Sequence, residues 1–257
     1  MSALHPLAWG LIAAIGVMLF AWVLIVPRKD VSIVDIFWGV NLLAAAIAYA
    51  LALPGQGPRE WLVLCLVAAW AVRLSGFIAA SNHGKPEELR YQAMREKRGE
   101  SFWWKSLYTV FLLQAVLAWI LSWQLYGAMA GSSPLNWLDA VGVGLWLFGL
   151  VFEAVADRQL AQFLARPDRG DAVMDQGLWR YSRHPNYFGE VCVWWGLFLL
   201  AASGGAWWTI VSPLMISFFL LKVSGVALTE KDIAERRPAY RDYIERTSPF
   251  WPLPPKA

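Results

Sequence analysis

Residues 177–190, GLWRYSRHPNYFGE, concentrate more chemistry than any other stretch of this 257-residue chain. His184-Pro185 ends the preceding conformation, and proline is well placed in the first turn of a helix. The free N–H groups of that helix start, with Arg180, Arg183 and His184 just upstream, make an anion site. Asn186 and Glu190 are four apart and share a helix face; Tyr187 and Glu190, three apart, are also neighbours. With Tyr181 beside them, these groups suit a phosphate-bearing cofactor whose ring and ribose need hydrogen-bond partners. The plainer alternative is a capped helix whose basic approach faces lipid headgroups. Two more segments carry polar chemistry. In EAVADRQLAQFLARPDRG (153–170), Asp157 precedes Arg158, Gln162 and Arg166, which recur every four residues as a polar stripe. In the tail, Glu230 follows the last apolar run, Pro238 interrupts the helical pattern, and Tyr240 and Tyr243 stand one turn apart. No GxGxxG follows a strand and no GxxxxGK[ST] occurs, so a nucleotide would have to be held by helices and their loops.

The elements that position these groups are apolar. The chain is 58% hydrophobic, 16% charged and 15% aromatic, with 17 Trp. A soluble domain carries about 25% charged residues. Disorder, a collagen-like fibre and a disulfide scaffold are excluded by the same composition. Cys65 and Cys192 both lie in apolar runs, so neither a disulfide framework nor a metal cluster is expected. Crossing a ~30 Å hydrocarbon core takes about 20 apolar residues as helix. Seven runs qualify: 7–27, 31–53, 60–81, 103–129, 136–156, 187–204 and 206–227. The expected fold is therefore all-α, a polytopic membrane protein of seven transmembrane helices. With seven spans, eighteen of the 22 Lys and Arg residues fall on one side and only Arg59 on the other. That asymmetry predicts the N-terminus outside and the C-terminus in the cytoplasm. Residues 1–135 would form four helices around an apolar substrate cavity, and residues 136–257 three helices and the cofactor-binding segments.

Charges within spanning helices cost at least ~2.5–3.5 kcal/mol each on insertion scales, so each needs a reason. Asp35 stands one turn into the second run, Arg73 deep in the third, Glu153 and Asp157 close the fifth, Glu190 opens the sixth and Lys222 ends the seventh. A polar cavity opening to the basic side, roofed by an apolar chamber, accounts for this placement. A structural ion pair between Asp35 and Arg73 is the alternative for those two. The chamber is expected to involve Trp38, Asn41 and Trp70.

With VSIVDIFWG early, HGKPEELRYQAMREKRG after the third run and GLWRYSRHPNYFGE before the sixth, the sequence resembles the integral membrane reductases of the steroid 5α-reductase family, in particular its bacterial branch. The resemblance covers essentially the whole chain. It implies NADPH held by the later helices and a steroid-like apolar substrate enclosed by the first four. By matching positions, it assigns cofactor contacts to Asn82 and Lys85 in SNHGKP, Asp157, Arg166, Asn186, Glu190 and Lys222. Together with Arg158, Tyr181, Arg183, His184, Tyr187, Glu230 and Tyr240, these make up the expected cofactor site. The sequence departs from the mammalian enzymes where they place a Gln-Glu pair and a Tyr at the substrate carbonyl: the nearest acid here is Asp35, and Trp70 or Ala71 takes the Tyr position. Sterol C14-reductases and isoprenylcysteine carboxyl methyltransferases share the RHPNY-type segment.

The implied reaction adds hydride to the β-carbon of an enone and protonates the product, with Asp35 and Arg73 as the catalytic candidates. A donor aimed at the carbonyl oxygen, where charge develops, is the largest lever available. A carboxyl desolvated in the bilayer can be present as the neutral acid, acting alone or through a neighbouring hydroxyl or water. Two other readings remain open at this point: an S-adenosylmethionine-dependent membrane methyltransferase, and a sterol- or lipid-binding module without turnover. The expected partners are the lipid bilayer and a small apolar substrate, with no nucleic acid and no metal, in a monomer of the bacterial inner membrane.

Overall fold

The computed structural model describes residues 4–28, 30–54, 57–230 and 233–256. Every regular element among them is helical, and no strand is present among the described residues. The chain packs as two units, residues 1–135 with 201–209, and residues 136–200 with 210–257.

In the first unit, α1 (Pro6–Ile25) is followed by a 3-10 segment, Val31–Ile36, which the Asp30 side chain caps by accepting from the Ser32 backbone N–H. The chain continues as α2 (Phe37–Ala52) and α3 (Pro58–Asn82), the latter opened by Pro58 in its first turn. A short amphipathic helix, α4 (Leu89–Arg98), leads into α5 (Phe102–Ser106). A π turn, Leu107–Phe111, joins α5 to α6 (Leu112–Leu121), and α7 (Trp123–Ala130) follows. Two contacts run α1 antiparallel to the α5–α7 column: Trp22 donates to the Trp103 carbonyl and Trp119 to the Leu7 carbonyl. A Cβ on Gly10 would strike the Tyr49 ring, so α2 lies against α1 with its far end beside α1's start. Tyr49 Oη and Ser122 Oγ, 2.6 Å apart, then tie α2 to the start of α7. Between these ties, Ala14, Met18, Ala21, Val34, Phe111 and Ala115 form a dry core.

Arg59 belongs to the same unit and is buried. Its guanidinium donates to the carbonyls of Ser133 and Pro134 and to Ser203 Oγ at 2.9, 3.0 and 3.1 Å. Arg59 therefore holds the 131–134 turn together. Close packing supports it: a Cβ on Gly131 would lie 2.7 Å from Gly204 Cα.

The second unit is built on α8 (Trp137–Leu164) and α9 (Pro185–Ser203). Asn136 and Asp139 make a reciprocal capping box at the start of α8, satisfying two backbone donors that the first turn would leave unpaired. Helix α8 reaches Leu164, so Asp157, Arg158 and Gln162 extend one continuous helix. The α8–α9 seam is made of glycine. A Cβ on Gly142 would sit 2.8 Å from the Gly196 carbonyl, and one on Gly149 would sit 2.6 Å from the Gly189 carbonyl. Two glycines seven residues apart on each helix thus let the backbones touch, the device by which membrane helices associate without a hydrophobic drive. Helix α10 (Val211–Phe218), a π turn at Phe219–Val223, and the short helices α11 (Val226–Thr229), α12 (Ile233–Arg236) and α13 (Tyr240–Arg246) complete the chain.

Among the described residues, six helical runs are long and apolar enough to cross a membrane: Pro6–Ile25, Val31–Ala52, Pro58–Asn82, Leu89–Ala130, Trp137–Leu164 and Trp207–Thr229. Large apolar side chains such as Phe20, Val23, Leu51, Val72, Val151 and Phe218 stand exposed on them, as lipid-facing surfaces do. The expected seventh run exists as helix α9 but is not among the six. Pro185, Asn186 and Glu190 make its first two turns polar, and Val193, Trp194, Leu197 and Leu200 are buried inside the protein.

Candidate functional site

The second unit gathers most of the polar groups singled out by the sequence. Gly177 starts the approach with φ +58°, a backbone conformation that only glycine adopts freely, and the Gln159 amide packs where a Cβ would be. Gln159 Oε1 accepts from the Leu178 N–H at 3.0 Å, and the Trp179 indole donates to the Ala156 carbonyl at 3.0 Å, so the 177–180 turn is fixed onto α8.

Arg183 and His184 lie in the segment expected to meet a ligand anion, and the structure gives them an internal one. Arg183 Nε and Nη2 donate to the two oxygens of Glu230 at 2.7 and 2.8 Å. Its Nη1 donates to the carbonyls of Ile244 and Thr247. His184 Nε2 lies 2.9 Å from Glu230 Oε1, and its ring stacks on Tyr187. The Arg183 N–H donates to the Ser248 carbonyl, Ser182 Oγ to the Phe250 carbonyl, and the Leu253 N–H to the Tyr181 carbonyl. These bonds clamp the tail against the start of α9. Burial alone would raise the Glu230 carboxyl, but hydrogen bonds and charge from His184 and Arg183 outweigh it and hold the group at about 2. Burial, followed by the Glu230 charge, pushes the Tyr240 hydroxyl up to about 12; Tyr243, buried and donating to the Trp179 carbonyl, is also raised.

Next to the clamp lies the group best suited to a ligand. Glu153, Asp157 and Glu190 are all buried. A Cβ on Gly189 would lie 2.7 Å from Glu153 Cβ, so α9 touches α8 at Glu153 through the residue before Glu190, and the Trp194 indole donates to Glu190 Oε1 at 2.8 Å. In the first turn of α9, Asn186 Oδ1 is buried with no hydrogen-bond partner among the described residues. An unfulfilled buried acceptor costs about 1–3 kcal/mol and awaits a donor. Arg158, Tyr181 and Lys222 are exposed, Lys222 within the π turn of residues 219–223. Arg166 is exposed and bonded to Asp168 at 3.2 Å, at the edge of a cavity of about 420 Å³ that Arg169, Asp175, Asp242, Tyr243 and Arg246 also line.

The first unit holds the other candidates. Asp35 pairs with Arg90, and Tyr91 Oη donates to Asp35 Oδ1 at 3.1 Å. Both partners come from α4, the helix that forms within HGKPEELRYQAMREKRG. The same helix is latched again where Glu87 takes the Val31 N–H at 2.8 Å and pairs with Arg95. Arg73 is half-buried in α3. Trp70 and Asn41 are buried and Trp38 half-buried. A cavity of about 630 Å³ in this unit is lined by other residues, among them Ile25, Val31, Phe102, Ser106 and Phe111, with Arg95 and Glu96 at its polar edge. Asn82 and Lys85, at the end of α3 and just beyond, belong to the first unit, apart in the chain from the 153–190 group.

Sequence reasoning missed Arg90 and Tyr91. Their signal was the amphipathic pattern of LRYQAMREKR, with Tyr91 on the face that turns inward. It also missed the glycine seam, whose signal was the matched seven-residue spacing in two apolar runs.

Comparison with known proteins places the chain. The family model described as "Protein of unknown function (DUF1295)" matches residues 21–247, and the chain belongs to that family. It is similar to an uncharacterized protein of Schizosaccharomyces pombe, at 25% identity over 96% of this chain and 80% of the relative. No solved structure matches it.

Proposed function

We propose that this member of the DUF1295 family is an NADPH-dependent membrane reductase of apolar enones of the 3-oxo-4-ene steroid type. The observation that carries the reading is the α8–α9 group: an unpartnered Asn186 Oδ1 beside the buried carboxylates of Glu153, Asp157 and Glu190. Acceptors of this kind fit the amide and hydroxyl donors of a dinucleotide. Arg158, Arg166, Arg180 and Lys222 are the cations suited to its phosphates, because Arg183 and His184 are engaged with Glu230. Bound there, NADPH would supply the hydride. The protein's own part is to hold the nicotinamide and ribose through Asn186 and Glu190 and to keep water from the reacting carbon.

The Arg90–Asp35–Tyr91 group is the polar cluster that supports carbonyl polarisation and protonation. Oδ2 and Oδ1 of Asp35 already accept from Arg90 and Tyr91. Asp35 therefore acts as a positioning residue, fixing a guanidinium and a phenol, and Tyr91 is the hydroxyl that would turn its O–H from Asp35 to the substrate carbonyl. In this reading the basic side faces the cytoplasm of a bacterial inner membrane, in line with the eighteen-to-one asymmetry of cations.

The test is a single incubation of detergent-purified protein with a 3-oxo-4-ene steroid and NADPH, following cofactor loss by its near-ultraviolet absorbance. Steroid-dependent NADPH consumption is expected. Stabilisation of the protein by S-adenosylmethionine, with none by NADPH, would replace this reading with the methyltransferase.

A further inference from the structure

Asn41 and Gln114, in the first unit, carry buried amide atoms without a hydrogen-bond partner among the described residues. Asn41 is fully buried in α2, and neither Oδ1 nor Nδ2 has a hydrogen-bond partner among the described residues. Gln114, in α6, buries an equally unpartnered Oε1. Their depths can be compared. The Tyr49–Ser122 hydrogen bond ties α2 to the α6–α7 column, and both run antiparallel to α1, hence parallel to each other. Asn41 precedes Tyr49 by eight residues, and Gln114 precedes Ser122 by eight. At 1.5 Å per residue each lies about 12 Å below the tie, so the two amides sit within roughly one helical turn of the same level. Phe111, which lines the 630 Å³ cavity, is one turn below Gln114. A buried amide without a partner is costly, and a pair at one level is a strong demand for a shared ligand group.

We infer that Asn41 and Gln114 form an internal polar station that grips the hydroxyl of an otherwise apolar ligand, and so select hydroxylated substrates. A hydroxyl meets both kinds of group: its O–H donates to one of the two acceptors, Asn41 Oδ1 or Gln114 Oε1, while its oxygen accepts from Asn41 Nδ2. A ketone accepts from Nδ2 alone and leaves both acceptors unmatched. The spacing suits one molecule. Asn41 is six residues beyond Asp35, about 9 Å along the helix, comparable to the long dimension of a fused four-ring skeleton. A substrate with its enone at the Arg90–Asp35–Tyr91 cluster can place a far-end hydroxyl at the amides. The choice of a steroid enone as probe rests on the reductase reading.

The experiment titrates the detergent-solubilised full chain, without NADPH, with a matched pair of 4-en-3-one steroids bearing either a 17β-hydroxyl or a 17-ketone, following tryptophan fluorescence. The wild type is expected to bind the alcohol about tenfold or more tightly than the ketone, as for a buried acceptor left unmatched. Asn41→Leu should bring the two affinities within about twofold, and Gln114→Met should narrow the gap. Asn41→Leu should unfold no earlier than wild type, since it removes an unfulfilled amide. Equal wild-type affinities, binding of neither steroid, or an alcohol preference surviving in both variants would overturn the inference. Turnover distinguishes it from its premise. NADPH consumption with equal affinity for the pair removes the station and keeps the reductase; alcohol-selective binding without consumption keeps the station and removes the reductase.

Discussion

Replacing Glu230 by Gln should release the tail from the start of α9, and the size of the effect follows from the clamp. The Glu230 carboxyl is held at about 2 against an ordinary 4.5, and its side chain is 17% exposed. A depression of that size corresponds to about 3 kcal/mol at 1.36 kcal/mol per pKa unit. The sign is that of a lowered acid: the stabilisation is fully present above the unfolded value near 4.5 and is lost as pH falls toward 2. Gln keeps the shape and one acceptor but leaves the Arg183 charge buried without a counter-charge, which costs about 3–5 kcal/mol where a buried pair is broken. At roughly 2–4 °C per kcal/mol for a chain of this size class, the variant should unfold some 6–20 °C below wild type at pH 7. The assay is thermal unfolding in detergent between pH 3 and 7, with trypsin nicking after Arg241 and Arg246 at pH 7 reporting local release of the tail. Wild type should lose part of its stability between pH 4.5 and 3; Glu230→Gln should be nicked at pH 7, where wild type is not, and show less change in thermal stability over the acid window. A variant that resists trypsin at pH 7 and follows the wild-type pH curve would refute the clamp.

Asp35→Asn should leave NADPH binding intact and cut turnover by ~10²-fold or more, because Arg90 and Tyr91 lose the anion that fixes them; Tyr91→Phe should match it in kcat with KM little changed, and steady-state kinetics separates the two parameters. Asn186→Ala and Arg166→Ala should each weaken NADPH, read by loss of its thermal stabilisation, while apo unfolding stays near wild type. Gly149→Val should destabilise the second unit by more than about 1–3 kcal/mol, since the added side chain meets the Gly189 backbone rather than a movable side chain; a thermal midpoint equal to wild type would show that the seam is not closely packed.

The apolar runs of the sequence were long enough to announce helices, and their positions agree with the structure because a span of about 20 residues leaves little room for another reading. Helix α9 is the weakest case. Its run, 187–204, is the shortest of the seven, and its first turns carry Pro185, Asn186 and Glu190, where the helix packs against Glu153 and bears the clamp. The motif 177–190 was legible as a site by its residue types, yet Arg183 read as an anion ligand without any sign of which anion. Its partner Glu230 lies 47 residues away, and no periodicity connects them. Asp35 was legible as needing a reason; its partners on α4 were not, because that ten-residue helix is polar on one side and too short to stand out from a charged loop.

The buried polar groups divide by charge, and the division explains which of them are candidates for ligands. Arg59, Arg183, Glu230 and Asp35 are engaged within the protein, by carbonyls or by opposite charges. The unpartnered groups include three amides, Asn41, Gln114 and Asn186. An isolated charge in an apolar interior costs far more than an isolated amide, so a chain can carry an unsatisfied amide through folding where it cannot carry an unsatisfied guanidinium. Glu60, whose buried oxygens also lack partners, departs from this rule. A site that must fold before its ligand arrives is therefore best built from neutral groups on rigid helices, with charges held back to lock the surrounding turns. Asn186 stands on α9, held by the glycine seam and the Arg183–Glu230 clamp; Asn41 and Gln114 stand on helices tied by Tyr49 and Ser122. In both units the charged and close-packed contacts fix the frame, and the amides are left to meet what binds.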